Sequence, residues 1–313
     1  MKRNSFEYKN YVELDTINNS IRTDPKGFVA HCESEYYLKV IDAADFIARN
    51  VEENGIVLLA GPSSSGKTTS SNIISNRLDT LGVRTTTVSM DDYFTTVDPN
   101  DKDIDYEAPD RLDIELLKHD LQVLSAGGEV RLPHYDFTTS TQSISDTVLS
   151  RKKGEVIIFE GLHALSALFD DVGKAVRIYV SPRMRVTVEN EIFMTAEQLR
   201  FMRRCARDSR FRGQDFAGTL RLWRNVIRGE KKYVLPSKEN ADIVIDTSMA
   251  YEPGLLAAAM GDTLSSLPEE ELRKVALGGI AEKIKSFEKL DFSLISSSSL
   301  MREFIGSDGL SIE

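Results

Sequence analysis

The segment Gly61-Pro62-Ser63-Ser64-Ser65-Gly66-Lys67-Thr68-Thr69 constrains this chain more than any other. It satisfies the pattern GxxxxGK[ST], follows the apolar run Ile56 to Ala60, and precedes a stretch of helical character that reaches Leu81. A phosphate-binding loop (P-loop) requires this context of strand, glycine-rich turn and helix. Its glycines let backbone N–H groups turn inward around phosphates, and the helix that follows adds a favourable dipole. Lys67 then reaches the β- and γ-phosphates of ATP, and Thr68 ligates Mg²⁺. The predicted ATP contacts are Gly61, Ser63, Ser64, Ser65, Gly66, Lys67, Thr68 and Thr69.

Four more strand-like runs, at 83–89, 156–159, 176–180 and 243–245, are separated by helical patterns or long connections. Buried apolar strands alternating with helices indicate a mainly parallel sheet covered on both faces. The expected fold is therefore α/β: a P-loop NTPase of three layers, α/β/α, with five strands, a hairpin insertion and a helical lid. A long acidic stretch at 91–113, a helix at 114–124 and a hairpin at 130–149 form that insertion, where the acceptor is expected to sit. Residues 1–54 read as an N-terminal extension, polar at first and then a helix over 35–53. Residues 55–250 are expected to form the P-loop domain, and 251–313 a helical extension with helices near 254–264 and 269–288.

The formal net charge of -10 disfavours nucleic acid or anionic membrane as a partner of the whole surface. Cys32 and Cys205 are the only cysteines, far apart, so neither a disulfide framework nor a zinc site is expected. No stretch approaches the ~20 apolar residues of a membrane span, and the N-terminus MKRNSFEYKNYVELD has no apolar signal run. A soluble, cytoplasmic protein fits, with homo-oligomerisation left open.

In open α/β sheets, ligands bind beyond the carboxyl ends of the strands. Asp91 and Asp92 close one such strand and Glu160 closes another. A carboxylate there holds Mg²⁺, directly or through water, or accepts the proton of an attacking hydroxyl. Arg200, Arg203, Arg204 and Arg207 stand at i, i+3, i+4 and i+7, with Arg210 and Arg212 following. On a helix these four share one face, and a polyphosphate is the anion that relieves their repulsion. A solvated basic face or an RNA contact is the plainer alternative. Trp223 reads as packing, and His134 and His163 as hydrogen-bonded structural residues.

The segments GPSSSGKTT, VSMDDYF, YEAPDRLD, VRLPHYDF, VIIFEGLHAL, MRRCARDSRFRG and YVLPSKENADIVIDTS occur in one order. With them the chain resembles the uridine kinase and phosphoribulokinase family of P-loop kinases, in particular a bacterial uridine-kinase-like subgroup. The resemblance implies that Asp91 is the catalytic base and that Glu160 organises Mg²⁺. It implies that Asp110 holds ribose hydroxyls, and that Tyr135 and Phe137 line the acceptor pocket. Arg204, Arg207 and Arg212 match lid arginines around the phosphates. After YDF, nucleoside-specific members carry a His and then an Arg, where this chain has Ser140 and Gln142; Gln214 replaces a further Arg. These departures remove donors from the acceptor side and leave the ATP side complete.

The expected activity is transfer of the γ-phosphate of Mg·ATP to a hydroxyl of a nucleoside or related ribose-containing molecule. Two alternatives remain: an ATP-binding regulatory or RNA-associated module without turnover, and a sugar-phosphate kinase.

Overall fold

The computed structural model describes residues 10–53, 55–98 and 104–306. Expectations for residues 1–9, 54, 99–103 and 307–313 lie outside the described residues. From the N-terminal side, β1 (Asn10–Glu13) leads into α1 (Leu14–Thr23) and then α2 (Pro25–Arg49). The helix predicted over 35–53 thus begins at Pro25. Proline is tolerated at the first helical position, and the Asp24 side chain accepts from the Gly27 N–H at 2.9 Å. Val29, Cys32, Tyr36, Val40, Ala43, Ala44 and Ile47 then form one continuous buried stripe.

β2 (Ile56–Ala60) is buried at every position, and the P-loop joins it to α3 (Lys67–Thr80). β3 (Thr85–Ser89) starts two residues later than the run at 83–89 suggested. Gly82 is left-handed, with φ 79°, and the Val83 N–H donates to Leu78 O at 2.9 Å. That bond closes the end of α3 in a Schellman geometry and takes Val83 out of the strand. α4 (Ile114–Ser125) is followed by the antiparallel hairpin of β4 (Glu129–Asp136) and β5 (Thr141–Ser150).

The sheet is completed by β6 (Val156–Glu160), β7 (Val176–Ser181) and, later in the chain, β10 (Ile243–Asp246). Its order is β10-β7-β2-β6-β3, with every pairing parallel and the P-loop strand central. Alternation along β2 divides the core. Val57 and Leu59 join α2, α3 and the helices α5 (Ala196–Arg212) and α7 (Glu252–Leu264) on one face. Ile56, Leu58 and Ala60 face α4 and the hairpin on the other. The result is the α/β/α sandwich expected of such strands.

Three features lie outside that sandwich's sequence signature. A small sheet of order β1-β8-β9 pairs β1 with β8 (Met184–Val188), itself hairpinned to β9 (Glu191–Met194). α6 (Phe216–Gly229) follows α5. The helix predicted over 269–288 is divided into α8 (Glu269–Lys274) and α9 (Ile280–Ile284). Ala276 and Gly279 are left-handed there, and the Leu277 N–H returns to Leu272 O at 2.8 Å, which buries Leu277. A last short helix, α10 (Arg302–Ile305), packs on α5. Ile17, Tyr36, Leu255, Leu300 and Phe304 all belong to the same apolar core as β2. Among the described residues no helix is long and apolar enough to cross a membrane.

Candidate active site

The carboxyl ends of β2, β3 and β6 open into a cavity of about 810 Å³. Ser63 and Lys67 of the P-loop line one side, with Asp91 and Glu160 beside them. Ser64 and Gly66 take left-handed backbone, with φ 59° and 87°. A side chain at Gly61 would place its Cβ 2.2 Å from Val180 O, so only glycine fits where the loop crosses β7. Lys67 Nζ bends back over the loop to Gly61 O at 3.1 Å. Ser64 and Ser65 are buried in the loop, and Thr69 continues it into α3.

The two aspartates after β3 separate into different roles. Asp92 accepts from the Tyr135 N–H at 3.4 Å and lies 3.3 Å from His134 Nδ1, fastening the hairpin to the sheet. Asp91 opens into the cavity. Enclosure by the cavity walls holds its carboxyl above the usual carboxylate range, opposed by the charges of Lys67, Arg212 and Arg207. Glu160 is likewise held high by burial, again opposed by Lys67.

Glu160 Oε1 accepts from Thr68 Oγ1 at 3.2 Å, while Glu160 Oε2 is buried without a partner among the described residues. A hydroxyl and an orphaned carboxylate oxygen beside a phosphate loop fit Mg²⁺, a cation held by one or two carboxylates together with substrate phosphates. No group of three or more His, Cys, Asp or Glu among the described residues is arranged to hold a metal by itself. Thr68 and Glu160 are the residues that would share it with a nucleotide.

The arginine stripe is not one surface. Arg200 pairs with Glu230, and its guanidinium lies 5.3 Å from the Trp223 ring centroid. Arg203 is fully buried and forks onto Glu252 with two contacts of 2.6 Å. Both are structural, contrary to a single phosphate-facing row. The rest of the row does face the cavity, which Arg204, Arg207 and Arg212 line. Arg204 donates to Ser63 Oγ at 2.8 Å and to Asp208 Oδ2 at 3.0 Å. Arg207 donates to Asp208 Oδ1 at 2.7 Å, and Arg212 Nε lies 3.7 Å from the same oxygen. Buried Asp208 is thus the common counter-ion that spreads three guanidinium groups toward the cavity.

Phe94, Tyr135 and Phe137 form an aromatic wall of the same cavity, an edge-to-face trio with centroids 5.0 to 6.2 Å apart. Tyr106, Glu107, Arg111 and Ser140 complete that wall. Of the predicted acceptor residues, Tyr135 and Phe137 stand here; Asp110 is exposed and is not among the lining residues. Glu107, three positions earlier, is in the wall, its carboxyl raised by burial against the pull of Arg204. Sequence reasoning missed Phe94, Tyr106, Glu107 and Arg111, although VSMDDYF and YEAPDRLD contain all four. Neither Gln142 nor Gln214 lines the cavity. A smaller cavity of about 280 Å³ lies beyond β7, lined in part by Pro62, Arg183, Arg185 and Lys238. It lacks Lys67 and the strand-end carboxylates Asp91 and Glu160, so it is not where the transfer chemistry converges.

Residues 56–251 match the Phosphoribulokinase / Uridine kinase family. The chain belongs to this family. It is 31% identical over 202 residues to the uridine kinase of Staphylococcus epidermidis, spanning 62% of this chain and 88% of that protein. It is 30% identical over 198 residues to the uridine kinase of Vibrio atlanticus, spanning 61% and 85%. Among solved structures it is similar to a protein from Silicibacter sp. TM1040 named as a fructose transport system kinase. That likeness has a TM-score of 0.50 and 18% identity, spanning 66% of this chain and 98% of that one; it bears on the fold alone. As a member of the family the protein is a small-molecule kinase, a transferase for which ATP use is implied.

Proposed function

We propose that this kinase transfers the γ-phosphate of Mg·ATP to a hydroxyl of a nucleoside or related ribose-containing small molecule. The observation that carries the reading is the convergence of Asp91, Lys67 and three arginines on one cavity that also has an aromatic wall. Bound Mg·ATP supplies the phosphoryl group and metal charge that screens its oxygens. Asp91 accepts the proton of the acceptor hydroxyl. Lys67, Arg204, Arg207 and Arg212 face the charge that develops on the transferring group. The trio of Phe94, Tyr135 and Phe137 offers faces and edges to a planar base.

A phosphorylated sugar is the second reading, favoured by Arg111. Its guanidinium stands on the acceptor wall, 5.7 Å from the ring centroids of Phe94 and Tyr106; Nη1 and Nη2 donate to Thr95, and Nε is buried without a partner among the described residues. The test is an ADP-release screen with Mg·ATP against nucleosides, ribose compounds and sugar phosphates, with Asp91→Asn as control. A nucleoside signal that disappears in the variant supports the first reading, and a sugar-phosphate signal the second. Nucleotide binding with no turnover on any acceptor overturns both in favour of a regulatory module.

A further inference from the structure

The 296–306 segment lies directly on the phosphate loop. Leu300, Met301, Phe304 and Ile305 are buried, and Phe304 sits under the Arg203 guanidinium, 5.0 Å from its ring centroid. Leu300 covers Gly66 so closely that an added Cβ there would meet Leu300 Cδ1 at 2.5 Å. Between these anchors, Glu303 Oε2 accepts from the Thr69 N–H at 3.1 Å and from the Thr69 hydroxyl at 2.7 Å.

Thr69 is the third residue of α3, and its N–H is one of the donors that a helix leaves free at its N-terminus. In a P-loop, such N–H groups cradle the α- and β-phosphates of the nucleotide. A carboxylate at this place satisfies the donors as a phosphate oxygen does, and with the same sign of charge. The charge of Glu303 is also felt at Glu160, where it adds to the larger effect of burial in holding that carboxyl high. Glu303 therefore stands at the loop end of α3, on the donors of Thr69.

We propose that Glu303 determines donor affinity by competing with the nucleotide's phosphates for the Thr69 donors. The proposal rests on the reading of the P-loop as the donor site. Two anions at one pair of donors repel each other, so binding of Mg·ATP requires the carboxylate to leave. Because Glu303 is held between Leu300 and Phe304, its release loosens the 296–306 segment.

The test measures Mg·ADP binding by calorimetry on the full chain and on Glu303→Gln and Glu303→Ala. Glutamine keeps an acceptor for Thr69 and removes the charge. Its Kd is expected to fall about tenfold, the size of a charge-assisted contact relative to a neutral one. Hydrogen exchange of residues 296–306 in the unmodified chain is expected to quicken when Mg·ADP is added. Unchanged or weaker binding by both variants overturns the proposal, as does exchange that nucleotide leaves unaltered or slows. Neither the unmodified chain nor the variants binding Mg·ADP would remove the donor-site reading itself. Binding by the unmodified chain without the variant effect removes only the role of Glu303.

Discussion

Arg204 Nη1 donates to Ser63 Oγ at 2.8 Å, which ties the middle of α5 to the phosphate loop. One turn of the same helix therefore carries two kinds of arginine. Arg203 does not reach the cavity: it is taken up by a fully buried pair with Glu252 and donates to Thr247 O at 2.8 Å. Arg204 and Arg207 open toward the cavity around Asp208. Replacing Arg204 or Arg207 by Ala is expected to lower kcat by about a hundredfold, the cost of removing one transition-state donor. Thermal unfolding should shift little. Arg203→Ala should do the reverse first, losing roughly 3–5 kcal/mol of stability because Glu252 is left buried and unpaired. Paired turnover and melting measurements on the three variants check this; equal losses of both quantities in all three would contradict it.

Asp91 makes a prediction with a sign. Its carboxyl is held above its ordinary value, so in the folded protein ionisation is disfavoured relative to the unfolded chain. Its contribution to stability is full below the unfolded pKa and is lost as pH rises through the folded one. Asp91→Asn should therefore abolish turnover while leaving the melting temperature at neutral pH equal or higher. The acid limb of kcat/KM, which reports the free enzyme's base, should lie above the ~3.9 of an unperturbed aspartate. A melting temperature clearly below that of the unmodified chain would count against the assignment.

What the sequence made legible follows from the range of the interaction involved. The three inner strands of the central sheet, β2, β6 and β7, are apolar runs buried almost throughout, so their residues announce them locally. P-loop geometry is equally local, and Asp91 and Glu160 were recognisable because each stands at a strand end. Asp24 and Pro25 carry the start signal of α2 in their own chemistry, a capping carboxylate before a proline, which apolar periodicity does not register. The division of the arginine stripe was not available, since Arg200 and Arg203 find Glu230 and Glu252 only through tertiary packing. Nor was the acceptor wall: Phe94 is bridged to Leu112 across an aperiodic acidic stretch, which brings Glu107 and Arg111 to the cavity. The pairing of β1 with β8 joins residues far apart in the chain, with Glu13 Oε1 accepting from Thr187 Oγ1 at 2.6 Å. Short elements such as α10 carry too few residues to show a period.

Glu160 and Thr68 predict a metal phenotype. The orphaned Oε2 of Glu160 is the acceptor that a hydrated Mg²⁺ would use, and glutamine keeps the shape while removing the charge. Glu160→Gln should raise the Mg²⁺ concentration for half-maximal turnover by about 10-fold or more. The Kd for metal-free nucleotide should change much less. Titration of ADP release against MgCl2, set beside nucleotide binding in EDTA, separates the two; an unchanged Mg²⁺ requirement would remove Glu160 from the metal site.

His163 stands behind the site, buried at 5% exposure and edge-on to Tyr233. Burial pushes its imidazole down to about 4, although a hydrogen bond with the Glu107 backbone pulls the other way. The folded protein thus keeps His163 neutral at pH values where the unfolded chain protonates it. Below about pH 6.5 the unfolded state binds the extra proton, so stability falls with pH until the folded pKa is reached. A lowering of this size amounts to about 3 kcal/mol lost between pH 6.5 and 4. His163→Gln removes the titration, so its stability should decline less over that interval even if it starts lower. Denaturant melts of both proteins at several pH values in this window measure the slope directly. Parallel slopes would mean that His163 already titrates normally in the fold, and that the wall beside Glu107 is wetter than its burial implies.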